Sequence, residues 1–203
     1  MRRAILALAL AAVGLMPIPA TAQTTYICLG EPATIVGTEE RDALWGTNGP
    51  DVMVGLGDVD FIFGRAEGDS SLPDEGDLIC GGAEGDLMHG YGGNDVMAGN
   101  AGDDVVSGRE DADRLTGGSG ADQVIGGAGH DLSRGGPDND RIVDTSTGAD
   151  QLYGDGGNDS IDAANRQTVH KPDFIDGGDG RDTCTVNEED EVVNCEDVFV
   201  IRP

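Results

Sequence analysis

The chain has 203 residues, with 34 Gly and 28 Asp but only four Phe, three Tyr and one Trp, and its 39 acidic residues stand against 12 Lys plus Arg. So few aromatic side chains exclude an ordinary globular core at this length, and a net charge of −27 argues against nucleic acid or an anionic membrane as partner. Such a composition reads as disorder unless the acids are spaced to bind cations.

Residues 1–22 are of another kind. Arg2 and Arg3 precede an apolar run from Ala4 to Met16, then Pro17, Pro19 and Ala20-Thr21-Ala22. A basic start, a short apolar core and an A-x-A end predict a secretory signal peptide cut after Ala22. The run is shorter than the roughly 20 residues that a membrane span needs. Export would leave a net charge of −29 and carry Cys28, Cys80, Cys184 and Cys195 into an oxidising compartment, where an even count points to disulfides. Of three possible connectivities, Cys28–Cys80 with Cys184–Cys195 is favoured, each bond fastening one end of the array described next. No Cys-x-x-Cys or paired His spacing supports zinc.

Residues 23–36 read as an N-terminal cap, with Thr34-Ile35-Val36 as a strand. From Gly37 a nine-residue period sets in. Gly37 to Trp45 is a degenerate first unit, and Gly46-Thr47-Asn48-Gly49-Pro50-Asp51-Val52-Met53-Val54 sets the register. Asp60 and Ile62 then take its sixth and eighth places. An eight-residue insertion leaves Asp77 and Ile79 in those places, with Asp69 as an alternative acid. Units run unbroken from Gly81 to Val143, with sixth places Asp86, Asp95, Asp104, Asp113, Asp122, Asp131 and Asp140. Their eighth places are Met88, Met97, Val106, Leu115, Val124, Ser133 and Ile142, and Leu132 could replace Ser133 after a local shift. One extra residue near Asp144 precedes Asp150 and Leu152; Asp159 and Ile161 follow. A five-residue insertion leads to Asp173 and Ile175, and the last unit has Asp182 and Cys184. Residues 186–203 read as a C-terminal cap containing strands at Val192-Val193 and Val198 to Ile201.

Each place has a physical task. Gly in the first, second and fourth places is expected to supply positive φ for a tight turn. The three residues after the Asp form a short strand whose middle side chain points inward. One turn plus one strand makes a unit and two units make a coil, so equivalent residues recur every 18 positions. The expected fold is all-β: a parallel β-roll, or β-solenoid, of about 15 units over residues 37–185.

With this pattern the chain resembles the RTX, or haemolysin-type, calcium-binding repeat family. The resemblance implies Ca2+ ions between stacked turns, held by sixth-place carboxylates and turn carbonyls. One implied column is Asp42, Asp60, Asp86, Asp104, Asp122, Asp140, Asp159 and Asp182; the other is Asp51, Asp77, Asp95, Asp113, Asp131, Asp150 and Asp173. Implied turn ligands are Gly90, Gly92, Gly99, Gly117, Gly118, Gly120, Gly126, Gly127, Gly129, Gly135, Gly177, Gly178 and Gly180. The best-formed turns precede Asp95, Asp104, Asp122, Asp131, Asp159 and Asp182. Weaker sites are expected at Asp42 after Glu39-Glu40-Arg41, at Asp113 after Gly108-Arg109-Glu110-Asp111, and at Asp150 after Thr145-Ser146-Thr147. Columns of Asp repel one another, so calcium is expected to drive folding.

Catalysis is not expected. His89 falls in an outward ninth place, His130 in a turn and His170 in an insertion, all read as surface residues. Gly117-Gly118-Ser119-Gly120-Ala121 lacks the last Gly of a nucleophile elbow. Asn158-Asp159-Ser160 matches a glycosylation acceptor, but Asp159 is already a turn residue. The first expectation is therefore a non-enzymatic, extracellular calcium-binding protein with a structural or adhesive role. The second is a calcium-dependent module for an extracellular polysaccharide or cell surface, with a basic stripe of Arg109, Arg114, Arg134 and Arg141 and with Arg166 and Lys171 marking the larger insertion. A hydrolase-associated protein is a distant third.

Overall fold

The computed structural model describes residues 24–65, 73–146, 148–165 and 171–202. The signal peptide, Asp69, Arg166 and His170 lie outside these residues. Apart from the antiparallel pair Ile27–Cys28 and Glu31–Pro32, short strands alternate between two parallel sheets, each pairing with a strand one coil away. One sheet contains Ala43–Trp45, Phe61–Phe63, Leu87–Tyr91, Val105–Glu110, Gln123–Ala128, Arg141–Val143, Ser160–Asp162, Thr183–Asn187 and Asp197–Ile201. The other contains Ile35–Val36, Val52–Leu56, Leu78–Ala83, Val96–Ala101, Arg114–Ser119, Leu132–Pro137, Gln151–Gly157, Phe174–Asp176 and Glu191–Val193, with Asp179–Gly180 added beside Gln151–Gly157. Among the described residues the fold is all-β, a parallel β-solenoid of about nine turns.

The register repeats the nine-residue period. Val106 pairs with Val124 and with Met88, and Leu115 pairs with Met97 and with Ser133. Insertions leave it unbroken: Met53 pairs with Ile79, Ser133 with Leu152 and Leu152 with Ile175. Extra residues leave at turns because the side-chain alternation of a strand tolerates no slip. The eighth-place side chains form one buried file between the sheets, from Met53 and Ile62 to Ile175 and Cys184, closed by the partly buried Ile35, Leu44 and Val192. Ser133 keeps its inward place at 1% exposure, with Leu132 outside it. The suggested shift to Leu132 does not occur, because parallel pairing on both sides of Ser133 fixes the alternation.

Within the described repeat units positive φ is confined to the second and fourth places, whatever residue stands there; outside them it occurs at Leu29, Gly30 and Asn194. In the second place it occurs at Gly118 and Gly127 but also at Leu56, Tyr91, Asn100 and Arg109; in the fourth, at Gly120 and Gly129 but also at Asp58, Glu84, Asp111 and Asp138. The first place does not need it, contrary to the sequence reading. First-place glycines are required by close approach instead. A Cβ at Gly81 or Gly99 would strike the carboxylate of its own unit, Asp86 or Asp104, and the carbonyl of the first-place glycine one coil on.

Two disulfides, Cys28–Cys80 and Cys184–Cys195, have the favoured pairing. The first ties the antiparallel pair Ile27–Cys28 and Glu31–Pro32 to strand Leu78–Ala83. The second joins strand Thr183–Asn187 to the turn before Asp197–Ile201.

Glu84 is exposed and holds φ at 69°, a conformation costly for any residue with a Cβ. Glu84→Gly is expected to stabilise the protein by about 1 kcal/mol, read as a higher guanidinium midpoint in calcium buffer. An unchanged or lower midpoint would contradict backbone strain at that place.

Candidate functional site

Each sixth-place Asp stands where a turn enters a strand, and the parallel register stacks these residues in the two columns expected. All of them from Asp51 to Asp182 are buried, while Asp42, at the first coil, is half-buried. Burial of so many carboxylates requires partners, and the backbone provides half of what is needed. In one column the amide N–H of Asp60 donates to Asp86 Oδ1 (2.8 Å), that of Asp86 to Asp104 Oδ1 (2.7 Å), and that of Asp104 to Asp122 Oδ1 (2.8 Å). The series runs on through Asp140 and Asp159 to Asp182. In the other column Asp77, Asp95, Asp113, Asp131, Asp150 and Asp173 are linked in the same way.

The second oxygen has no such partner. Oδ2 of Asp60, Asp77, Asp86, Asp95, Asp104, Asp113, Asp122, Asp131, Asp140, Asp159, Asp173 and Asp182 is buried without a hydrogen bond. Each of these atoms that faces a first-place glycine fills the space a Cβ would take, beside the carbonyl of the next coil at Gly64, Gly81, Gly90, Gly99 and Gly154. Carboxylate and carbonyl oxygens thus converge with no donor between them. A buried set of acceptors is complete only with a cation, and an all-oxygen set suits a hard one such as Ca2+.

Three acids depart from this arrangement. Asp42 Oδ2 accepts from the N–H and hydroxyl of Thr38 (2.6 and 2.8 Å), and Asp51 Oδ2 from those of Thr47 (2.7 and 2.9 Å). Ser146 Oγ donates to Asp150 Oδ2 (3.5 Å). A second-place Thr satisfies the oxygen that elsewhere lacks a donor, so Asp51 joins Asp42 among the departures although its turn looks regular in sequence. Asp113, expected to be weak, keeps the common arrangement. Its turn lacks glycine in the second and fourth places, yet Arg109 and Asp111 adopt positive φ there, and its Oδ2 is buried and unpartnered like the rest.

The glycines named from sequence fall in separate roles. Gly90, Gly99, Gly117, Gly126, Gly135 and Gly177 hold first places against a carboxylate; Gly118, Gly127 and Gly178 turn the backbone in second places; Gly120, Gly129 and Gly180 turn it in fourth places. Gly92, a third-place residue, lies near the Asp74 side chain.

Three site residues escaped the sequence reading. Asp190 Oδ1 accepts from the N–H of Asp173 (3.0 Å) and Glu196 Oε2 from that of Asp182 (2.8 Å), so the segment read as a cap extends both columns. Each stands two residues before an apolar strand residue, Val192 or Val198, a spacing visible in the sequence. Asp144, in the first place of its unit, is buried and lies with Asp131 and Asp150 so that one carboxylate oxygen from each falls within 4.8 Å of the others.

Burial raises the carboxyl pKa values along the columns, and the charge of neighbouring acids adds to it. Asp77 and Asp95 are pushed up to about 8, Asp104, Asp113, Asp140 and Asp173 to about 7, and Asp86, Asp122 and Asp159 to about 6, the amide hydrogen bonds opposing the rise.

The remaining candidates are engaged elsewhere. His89 is half-buried, not a surface residue: it packs between Phe63 and Tyr91, and burial with the nearby Arg109 pushes it down to about 4. His130 Nδ1 accepts from the Ala149 N–H (2.9 Å). Ser119 Oγ donates to the Asn100 carbonyl (3.4 Å), and the Asn158 side chain bonds Asn139 and the Arg181 N–H. The four arginines form no stripe. Arg114 and Arg134 stand on one sheet and Arg109 and Arg141 on the other, and Arg134 is paired with Asp155 (2.8 Å).

A family model for the RTX calcium-binding nonapeptide repeat matches residues 36–70, 81–115, 107–142, 135–165 and 172–188. No curated protein and no solved structure matches the chain.

Carboxyls with raised folded pKa values bind protons more tightly in the roll than in the unfolded chain, so their protonation stabilises the ion-free roll. That stabilisation is complete below about pH 4, the unfolded value, and is lost as pH rises through about 6 to 8. Metal-stripped protein is therefore expected to keep more of its β signal at pH 5 than at pH 8, followed by far-UV circular dichroism. The opposite order would contradict the unpartnered, buried state of these oxygens.

Proposed function

The chain belongs to the RTX calcium-binding nonapeptide repeat family, and on that premise we propose that it is an extracellular calcium-binding protein whose roll folds on Ca2+. The observation that carries this reading is the row of buried Oδ2 atoms without a donor, those of Asp60, Asp77, Asp86, Asp95, Asp104 and Asp159 beside a turn carbonyl of the next coil. A hard cation with six to eight oxygen ligands fits such a set. The ligands are the sixth-place acids from Asp60 and Asp77 onward together with carbonyls of the glycine turns, Gly90, Gly99, Gly117 and Gly177 among them. Asp42 and Asp51, already bonded to Thr38 and Thr47, contribute little to ion binding.

Each ion would tie one coil to the next and cancel the repulsion along a column, so that binding and folding share one free energy. The signal peptide read at residues 1–22 and the two disulfides support export to an oxidising, calcium-rich environment. There the protein would serve as a rigid rod, with a structural or adhesive role in place of catalysis. The division of the arginines between two sheets gives the polysaccharide reading no support of its own.

In EGTA the mature protein is expected to lose its β signal in far-UV circular dichroism and to regain it in millimolar calcium; a β signal indifferent to both would overturn the proposal. Asp104→Asn should raise the calcium midpoint for folding roughly tenfold, because ligand charge sets affinity, whereas Asp42→Asn should move it little. Equal effects of the two substitutions would contradict the assignment of ligands.

A further inference from the structure

One inter-coil position is built differently from the others. After strand Arg141–Val143 the first place belongs not to glycine but to Asp144, which continues the ladder through its N–H bond to the Asp162 carbonyl (2.9 Å). In the same column, a Cβ at Gly64 would meet Asp77 Oδ2 and the Gly90 carbonyl, and one at Gly90 would meet Asp95 Oδ2 and the Gly108 carbonyl. At Gly126 the oxygens it would meet are Asp131 Oδ2 and Asp144 Oδ2. A carboxylate has thus taken the part of a neutral carbonyl.

Asp144 is 2% exposed and Asp131 3%, and Oδ2 of each is buried without a hydrogen bond. Asp150 contributes the third carboxylate of the group. Among the described residues, the hydrogen bonds to these three side chains come from the N–H groups of Ser146, Asp113 and Asp131 and the Ser146 hydroxyl. The nearest basic side chains, His130 and Lys171, are exposed and engage each other (2.9 Å). The charges of His130 and Lys171 act on Asp150 and that of His130 on Asp131, but among the described residues no basic side chain forms an ion pair with Asp144.

We infer that Asp131, Asp144 and Asp150 form a three-carboxylate cation site that differs from the repeat sites in charge and so in affinity. The inference rests on the calcium reading above and adds to it a residue outside the repeat pattern. More ligand charge in one oxygen site tightens the binding of a hard cation and favours a trivalent over a divalent ion of similar size. The segment after Asp144, at Thr145 and Ser146, is thereby where the roll holds its ion most firmly.

The test is isothermal titration calorimetry of the metal-stripped mature protein with Ca2+ and with Tb3+, backed by ion counts from native mass spectrometry at buffered free calcium. One ion per chain is expected to bind about tenfold or more tightly than the rest, with a larger gap for Tb3+. Asp144→Asn and Asp144→Gly, the second restoring the residue usual at that place, should each abolish this gap while the other ions bind as before. Circular dichroism at saturating calcium checks that both variants fold. A single class of equivalent sites in the unmodified protein would overturn the inference, as would a tight site that survives both substitutions, and either result would leave calcium binding by the repeats intact. Failure of the unmodified protein to bind any ion would overturn the calcium reading and this inference together.

Discussion

From Asp60 onward, nearly every coil meets the next through a buried aspartate with one oxygen satisfied and one not. The amide of one sixth-place Asp donates to Oδ1 of the next along both columns, which fixes each carboxylate in place before any ligand is considered. The same hydrogen bond aims Oδ2 at the gap left by a first-place glycine. Two requirements meet there: the glycine makes room, and the carboxylate needs a positive partner to tolerate burial.

The hydrophobic file is thin, since each nine-residue unit buries one main side chain. Solenoids of this kind gain stability from contacts between neighbouring repeats and not from a central core. An ion placed between coils strengthens the one contact that every repeat shares. The disulfides add covalent ties, holding the first antiparallel pair to the roll and the last coils to each other. Where Thr38 and Thr47 stand in second places, the protein supplies the missing donors itself. The first coils are therefore less dependent on a cation than those that follow.

Much of this was legible in the sequence. Asp at every sixth place and an apolar residue at nearly every eighth fixed the strands, the alternation between two sheets and the two columns, because a period of nine leaves one register that buries every eighth residue. Ser133 shows how strongly that register is imposed: a polar side chain stays inside although Leu132 is adjacent. Reading glycine as a marker of site quality succeeded less well. Arg109 and Asp111 adopt the turn conformation without being glycine; pairing on both sides holds Arg109 there, and Asp111 accepts from the Gly93 N–H of the preceding coil.

The sequence by itself determined the repeat, the strand order and the identity of the stacked acids, because those follow from spacing along the chain. Only the tertiary structure decided which oxygen of each acid is satisfied, which acids are already served by a threonine, and that Asp144, Asp190 and Glu196 join the columns. The reason is physical. A carboxylate's second oxygen is bonded or left bare by whatever lies one coil away, about 18 positions distant along the chain, and insertions at the turns shift that distance without leaving a mark in the local pattern.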